Sequence, residues 1–273
     1  MRVVERSLGG GVSLPLLVSE LFPASFSHGF TMRGGGVSSA PYDSLNVGIR
    51  WGDAPRNVAE NRRRVLEASG GRQLFVARQV HGARVLALCH ADAPEAVVAE
   101  MADGLATDSA GAAVAVFVAD CVPVLLADPR TGACAAVHAG WRGVIAGVVP
   151  TAVEVLSADF DAHPDDMVAA LGPCIGPCCF EVGPEVAAQF ERTFAGENLR
   201  DLVRTQEGAK PHVDLRGAVK TQLLAAGLPE GQVDVAAACT VCDPEGRFFS
   251  YRRDATQTGQ HLGFICRLAP VGP

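Results

Sequence analysis

Three apolar runs near the middle of the chain, separated only by short polar breaks, restrict the fold more than any other feature. Ala112–Val118 and Val122–Ala127 carry no charged residue and several β-branched ones, so they suit strands buried on both faces. Asp128-Pro129-Arg130-Thr131-Gly132 has the composition of a tight turn, and residues 133–139 resume as a strand. The second and third runs therefore form an antiparallel hairpin. If Asp128 and Ala133 flank its turn, Pro123 falls opposite His138. Side chains alternate along a strand, so Cys121 shares the face of Pro123. It becomes a diagonal neighbour of His138, about 7–8 Å away between backbone positions. A metal with bonds of about 2.3 Å to sulfur and about 2.0 Å to nitrogen bridges such a pair. A slip of one residue would turn the two side chains to opposite faces.

A third donor, His81, stands in Gln79-Val80-His81-Gly82 between two apolar segments, 74–76 and 85–88. Two imidazoles and one thiolate match the ligand number of a catalytic zinc that keeps a fourth position open. Taken singly, each residue has an ordinary reading, the histidines as hydrogen-bonded polar groups and the cysteine as a small hydrophobe. Asp120 suits a supporting partner of the metal site or the cap of a turn. Cys239-Thr240-Val241-Cys242 competes for metal, with Cys174, Cys178 and Cys179 as further donors. A structural zinc site usually needs two close pairs and only one CxxC is spelled out. Cys239 and Cys242 are accordingly expected to stay reduced and metal-free.

Elsewhere, Asn57-Val58-Ala59-Glu60 fits a capping box opening a helix that runs to about Gly70. Residues 141–156 read as one helix with a kink at Pro150, and Asp214 caps another that ends near Gly227. Residues 233–238 and 248–252 read as late strands. No repeat or linker divides the chain. The expected fold is α/β, a layered single domain over residues 1–273 with mixed β-sheets in the core flanked by helices.

A net charge of -7 repels phosphate backbones and argues against nucleic acid as a partner, although a local basic pocket stays open. No apolar run is long enough for a bilayer, and the stretch 14–18 is too short for a signal-peptide core. Nine cysteines in 273 residues are better read as reduced thiols than as a disulfide framework, which points to the cytoplasm. The oligomeric state is not legible.

Eight ordered motifs resemble one family. They are Ser27-His28-Gly29-Phe30-Thr31, Gly35-Gly36-Val37-Ser38, Pro41-Tyr42-Asp43-Ser44-Leu45-Asn46 and Gln79-Val80-His81-Gly82. Ala119-Asp120-Cys121-Val122-Pro123-Val124-Leu125-Leu126, His138-Ala139-Gly140-Trp141-Arg142-Gly143, Gly172-Pro173-Cys174-Ile175-Gly176 and Ser250-Tyr251-Arg252-Arg253-Asp254 follow. The chain is similar, over about residues 27–266, to the YfiH-like family, also called the laccase-domain or polyphenol oxidase family. It departs from the pattern at Met32, where members usually carry Thr. The resemblance implies a layered fold with paired mixed sheets, and zinc on His81, Cys121 and His138. It also implies phosphorolysis of adenosine, inosine and methylthioadenosine with adenosine deamination alongside, and a peptidoglycan-precursor editing role associated with bacterial members.

Zinc lowers the pKa of bound water to about 7, which suits deamination of adenine. Phosphorolysis must instead hold a phosphate near the sugar C1′, the work of arginine forks. Arg33, Arg62, Arg142 and Arg252 are candidates because each lies in or near a matched motif, and Asn46 is a candidate for a ribose hydroxyl or a base edge. Copper oxidation is a rival reading, but seven histidines without a His-X-His pair fall short of a multicopper centre. A thiol hydrolase with Cys121 as nucleophile and His138 as base also stays open, as does a metal-stabilised binding protein.

Overall fold

The computed structural model describes residues 1–195 and 199–269. Strands are numbered in chain order. One six-stranded sheet runs, edge to edge, β1 (Arg2–Ser7), β2 (Ser13–Val18), β3 (Phe26–Thr31), β14 (His261–Arg267), β7 (Ala112–Val118) and β4 (Gln73–Phe75). The other runs β13 (Val233–Val235), β10 (Val168–Leu171), β8 (Val122–Ala127), β9 (Cys134–Ala139), β6 (Gly104–Thr107) and β5 (Val85–Ala87). A short ribbon pairs β11 (Val203–Arg204) with β12 (His212–Val213). Both large sheets are mixed: β4 joins the first in parallel, while β13 and β5 join the second in parallel. The expected α/β fold with paired mixed sheets is what the chain adopts.

The hairpin has the register read from its turn, with Pro123 opposite His138 and Val124 opposite Val137. All six residues of β8 are buried, because its two faces meet different layers. Val122, Val124 and Leu126 pack with α4 (Val148–Phe160) and α7 (Leu215–Ala225). Leu125 and Ala127 point the other way, into an inter-sheet layer with Phe26, Phe30 and Ile265. Beyond the first sheet, α1 (Pro55–Ser69) covers Leu14, Leu16 and Phe264 with Val65 and Ala68. The order is helix, sheet, sheet, helices. His138 shares its face of β9 with Cys134 and Ala136, so it ends the inter-sheet layer at its open edge.

Four boundaries differ from the sequence reading. Helix α1 begins at Pro55, not after Asn57, because proline's fixed φ and missing N–H suit the first helical position. Glu60 does not reach back to a cap, since Arg63 and Arg64 engage its carboxylate. Residues 141–156 divide into α3 (Trp141–Ile145) and α4 at Gly147, whose φ of 83° breaks the helix. Pro150 falls in the first turn of α4, where an amide hydrogen would have had no helical partner, so it makes no kink. The strand starting at 233 stops at Val235. Residues 248–252 do not form a strand. Phe249 N–H donates to His261 Nε2, and Ser250 caps the short helix α8 (Tyr251–Asp254) by accepting from Arg253 N–H at 3.2 Å. Asp214 caps α7 as expected, accepting from Gly217 N–H.

Candidate active site

The segment between β4 and β5 crosses from one sheet to the other, and His81 sits on that crossing with φ 61°. Side chains with a Cβ adopt this left-handed conformation only when neighbours hold it. Asp103, fully buried just before β6, does so. Its carboxylate accepts from the N–H groups of Val80 (3.2 Å), His81 (2.8 Å) and Gly82 (2.7 Å). The same carboxylate lies 2.8 Å from His138 Nδ1. One buried acid thus holds the backbone at His81 and the ring of His138, leaving His138 Nε2 to face Cys121. Sequence reading passed over Asp103, because nothing in its own segment marks it.

His81, Cys121 and His138 offer donor atoms that all lie within 4.8 Å of one another. The two rings meet edge to face, with centroids 4.8 Å apart. Gly140 supplies the space between them. A Cβ there would lie 3.0 Å from both Cys121 Sγ and His81 Cδ2. The protein therefore keeps a small cradle among three soft and borderline donors. This set fits zinc. It does not fit a multicopper centre: His28 is engaged with Ser19 and His261 with Phe249, away from the cradle.

Charges in the cradle are strongly coupled. Burial of the Cys121 sulfur opposes ionisation, but the charge and hydrogen bond of His138, with a hydrogen bond to His81, outweigh it and push the thiol down to about 6. Burial likewise disfavours the His138 cation, yet Cys121 and Asp103 push it up to about 9. Each group thus favours the charged form of the other. Asp103 is held below the usual carboxylate range although burial opposes this, chiefly by its bond to His138 and the backbone N–H groups.

The donors open into a cleft of about 880 Å³. Arg62, among the predicted residues, lines it, half-buried over the Phe117 ring with Nε bonded to Val47 O. Burial lowers its pKa, an uncompensated cost that an anion would offset. Arg252 also lines the cleft, carried there by α8, with Nη1 bonded to the carbonyls of Cys179 and Glu181. Arg50 and Arg78 stand beside them and were missed, since neither lies in a recognised motif. Among the described residues, none of these four has a carboxylate within ion-pair distance. Trp51 and Tyr251 stack at 5.5 Å and 23° on one side of the cleft.

Three predicted residues are not brought to the cleft. Arg33 pairs with Asp43 at 3.0 Å and lies over Phe249. Arg142 is exposed and folded over the Trp141 ring. Asn46 is buried and spends its amide on Gly48, Asp53 and Gln260. With Asn61, it fixes the loop that ends in Trp51. Asp120 serves as a tie: its carboxylate accepts from Thr240 Oγ1 at 2.5 Å and from Arg252 N–H at 2.6 Å.

Residues 27–268 match the family model described as multi-copper polyphenol oxidoreductase laccase. A purine nucleoside phosphorylase of Deinococcus radiodurans is 43% identical over 240 residues, covering 87% of this chain and 88% of that one. The purine nucleoside phosphorylase YlmD of Geobacillus stearothermophilus is 37% identical over 246 residues, covering 88% and 89%. The crystal structure of that YlmD superposes with a TM-score of 0.86 and 34% identity, over 97% of this chain and 100% of that one.

Proposed function

The chain belongs to the multi-copper polyphenol oxidoreductase laccase family, and on that premise we propose that it is a zinc-dependent purine nucleoside phosphorylase. Its substrates would be adenosine, inosine and methylthioadenosine with inorganic phosphate, and it would deaminate adenosine as a second activity. The observation that carries this reading is the half-buried, unpaired Arg62 sharing one cleft with the donor cradle. A phosphorylase must hold a dianion beside a nucleoside, and an oxidase has no such need.

His81, Cys121 and His138 would hold the zinc, with Asp103 fixing the His138 ring and the His81 backbone. Bound there, zinc supplies Lewis acidity and lowers the pKa of water to about 7. Arg62 and Arg252, aided by Arg50 and Arg78, would bind phosphate. The Trp51–Tyr251 stack offers a flat face for a purine. A phosphate oxygen then attacks the sugar C1′, the C1′–N9 bond breaks, and the base leaves with a proton while sugar 1-phosphate forms. Deamination uses the same base platform and needs no phosphate. Nine unpaired thiols suit the cytoplasm, where we place the reaction. Among the described residues, no helix is long and apolar enough to cross a membrane.

One observation favours a second reading. Cys121, His138 and Asp103 also form a thiolate–imidazole–carboxylate series, the arrangement of a thiol hydrolase acting on an amide such as a peptidoglycan precursor. Incubating zinc-loaded protein with adenosine, with and without phosphate, separates the two. Adenine and ribose 1-phosphate formed only with phosphate are the expected products. No phosphate dependence, together with ready alkylation of Cys121 in the metal-free protein and a Cys121 acyl-enzyme trapped from an amide substrate, would replace the phosphorylase with the hydrolase.

A further inference from the structure

The sequence shows one CxxC pair, but the fold supplies a second. Sulfurs of Cys178, Cys179, Cys239 and Cys242 all lie within 4.8 Å of one another, and Cys178 Sγ is 3.6 Å from Cys242 Sγ. About sixty residues of sequence separate the pairs. Backbone pairing brings them together: Cys174 bridges Cys239, and Thr240 N–H donates to Cys174 O. Core packing does not account for the cluster, because Cys178 and Cys242 are exposed. The earlier expectation of a metal-free CxxC rested on a missing second pair, and that premise fails.

Two features suit a metal thiolate. Gly176 N–H donates to Cys239 Sγ at 3.2 Å, the kind of bond that stabilises charge on sulfur. Glycine leaves room for it, since a Cβ on residue 176 would crowd Cys178 Sγ at 3.1 Å and the Cys239 Cβ at 3.3 Å. Positive charge also stands close by. Arg253 Nη1 donates to the carbonyls of Thr240 and Val241, inside the CxxC turn, and an Arg216 nitrogen lies 2.7 Å from where a side chain on residue 176 would begin. Guanidinium groups there offset the negative charge that four thiolates leave around a divalent ion.

We propose that Cys178, Cys179, Cys239 and Cys242 hold a second zinc, with a structural role, separate from the site at His81, Cys121 and His138. Binding takes the thiol protons to solvent and forms sulfur–zinc bonds without any change of oxidation state. The ion fastens the loop after Cys174 to the CxxC turn. That junction shapes the cleft: Arg252 Nη1 is held by the carbonyls of Cys179 and Glu181, and Thr240 bonds Asp120. The site does not depend on the nucleoside reading.

Metal counting on protein purified without added copper tests it. Wild type should carry two zinc ions per chain, and Cys121→Ala should keep one. The double variant Cys178→Ser/Cys242→Ser should also keep one, and circular dichroism will report whether it folds. Cobalt loaded into Cys121→Ala should give the intense visible bands of tetrahedral thiolate coordination. Thiol titration of unaltered wild type supplies a measurement that needs no variant: the four sulfurs should resist modification until a chelator is added. A zinc-free Cys121→Ala protein whose four thiols react at once, or a Cys178–Cys242 disulfide in the purified chain, would overturn the proposal.

Discussion

Replacing Asp103 with Asn changes one oxygen into an amide group and leaves the volume almost unchanged. In the native chain, the carboxylate accepts from three consecutive backbone N–H groups and from His138. Asparagine keeps one acceptor for His81 N–H and His138 Nδ1. Its NH₂ then confronts the N–H groups of Val80 and Gly82, which bond Oδ2 at 3.2 and 2.7 Å. Two charge-assisted bonds at about 1.5–3 kcal/mol each amount to about 3–6 kcal/mol if nothing relaxes. The left-handed His81 loses its support at the same time. Metal affinity should fall about ten- to a hundred-fold, as for other outer partners of metal-binding histidines. Competition against a chromophoric chelator measures that, and calorimetry measures the fall in Tm. The acid limb gives an independent sign. Because Asp103 is held below the usual carboxylate range, its stabilisation is complete above the unfolded pKa of about 3.9 and is lost as pH falls through the lowered value. Asp103→Asn should flatten that limb. Zinc affinity within twofold of wild type and an unchanged Tm would show that the acid does not position the histidines.

Gly140→Ala should abolish metal binding while the fold survives, since φ −73° accepts alanine but its Cβ enters the cradle; full zinc occupancy in the folded variant would contradict this. With the Cys121 thiol pushed down to about 6 and His138 pushed up to about 9, zinc binding at pH 7 should release about one proton, from His138. Affinity should rise about tenfold per pH unit between about 6 and 9 and more steeply below, and titration calorimetry in buffers of different ionisation enthalpy counts the proton. Arg62→Ala should slow adenine release by about ten- to a hundred-fold and leave inosine formation nearly unchanged. Arg142→Ala, whose guanidinium rests on Trp141, should alter neither rate; equal losses in both reactions for Arg62→Ala would assign that arginine to the nucleoside or to the fold.

The hairpin was legible because its information is local. Apolar runs, a turn of fixed length and the two-residue period set Pro123 against His138 without reference to any other segment. The same local logic placed Cys121 beside His138, and the Asp214 cap at the start of α7. Local signals also misled where two of them competed. Proline at position 55 outweighed the Asn57 box, Gly147 broke the helix that Pro150 was expected to bend, and Ser250 as a cap outweighed the strand propensity of Phe248 and Phe249. What the sequence alone could not decide is which distant groups meet. Asp103 reaches His138 across 35 residues, Thr240 reaches Asp120 across 120, and Cys178 reaches Cys242 across 64. Arg33 and Arg142 are as basic as Arg62, yet an ion pair and a tryptophan ring hold them outside the cleft. Residue type and spacing fix what a side chain is able to do; its partner, its burial and therefore its charge are set only when the two sheets close on each other.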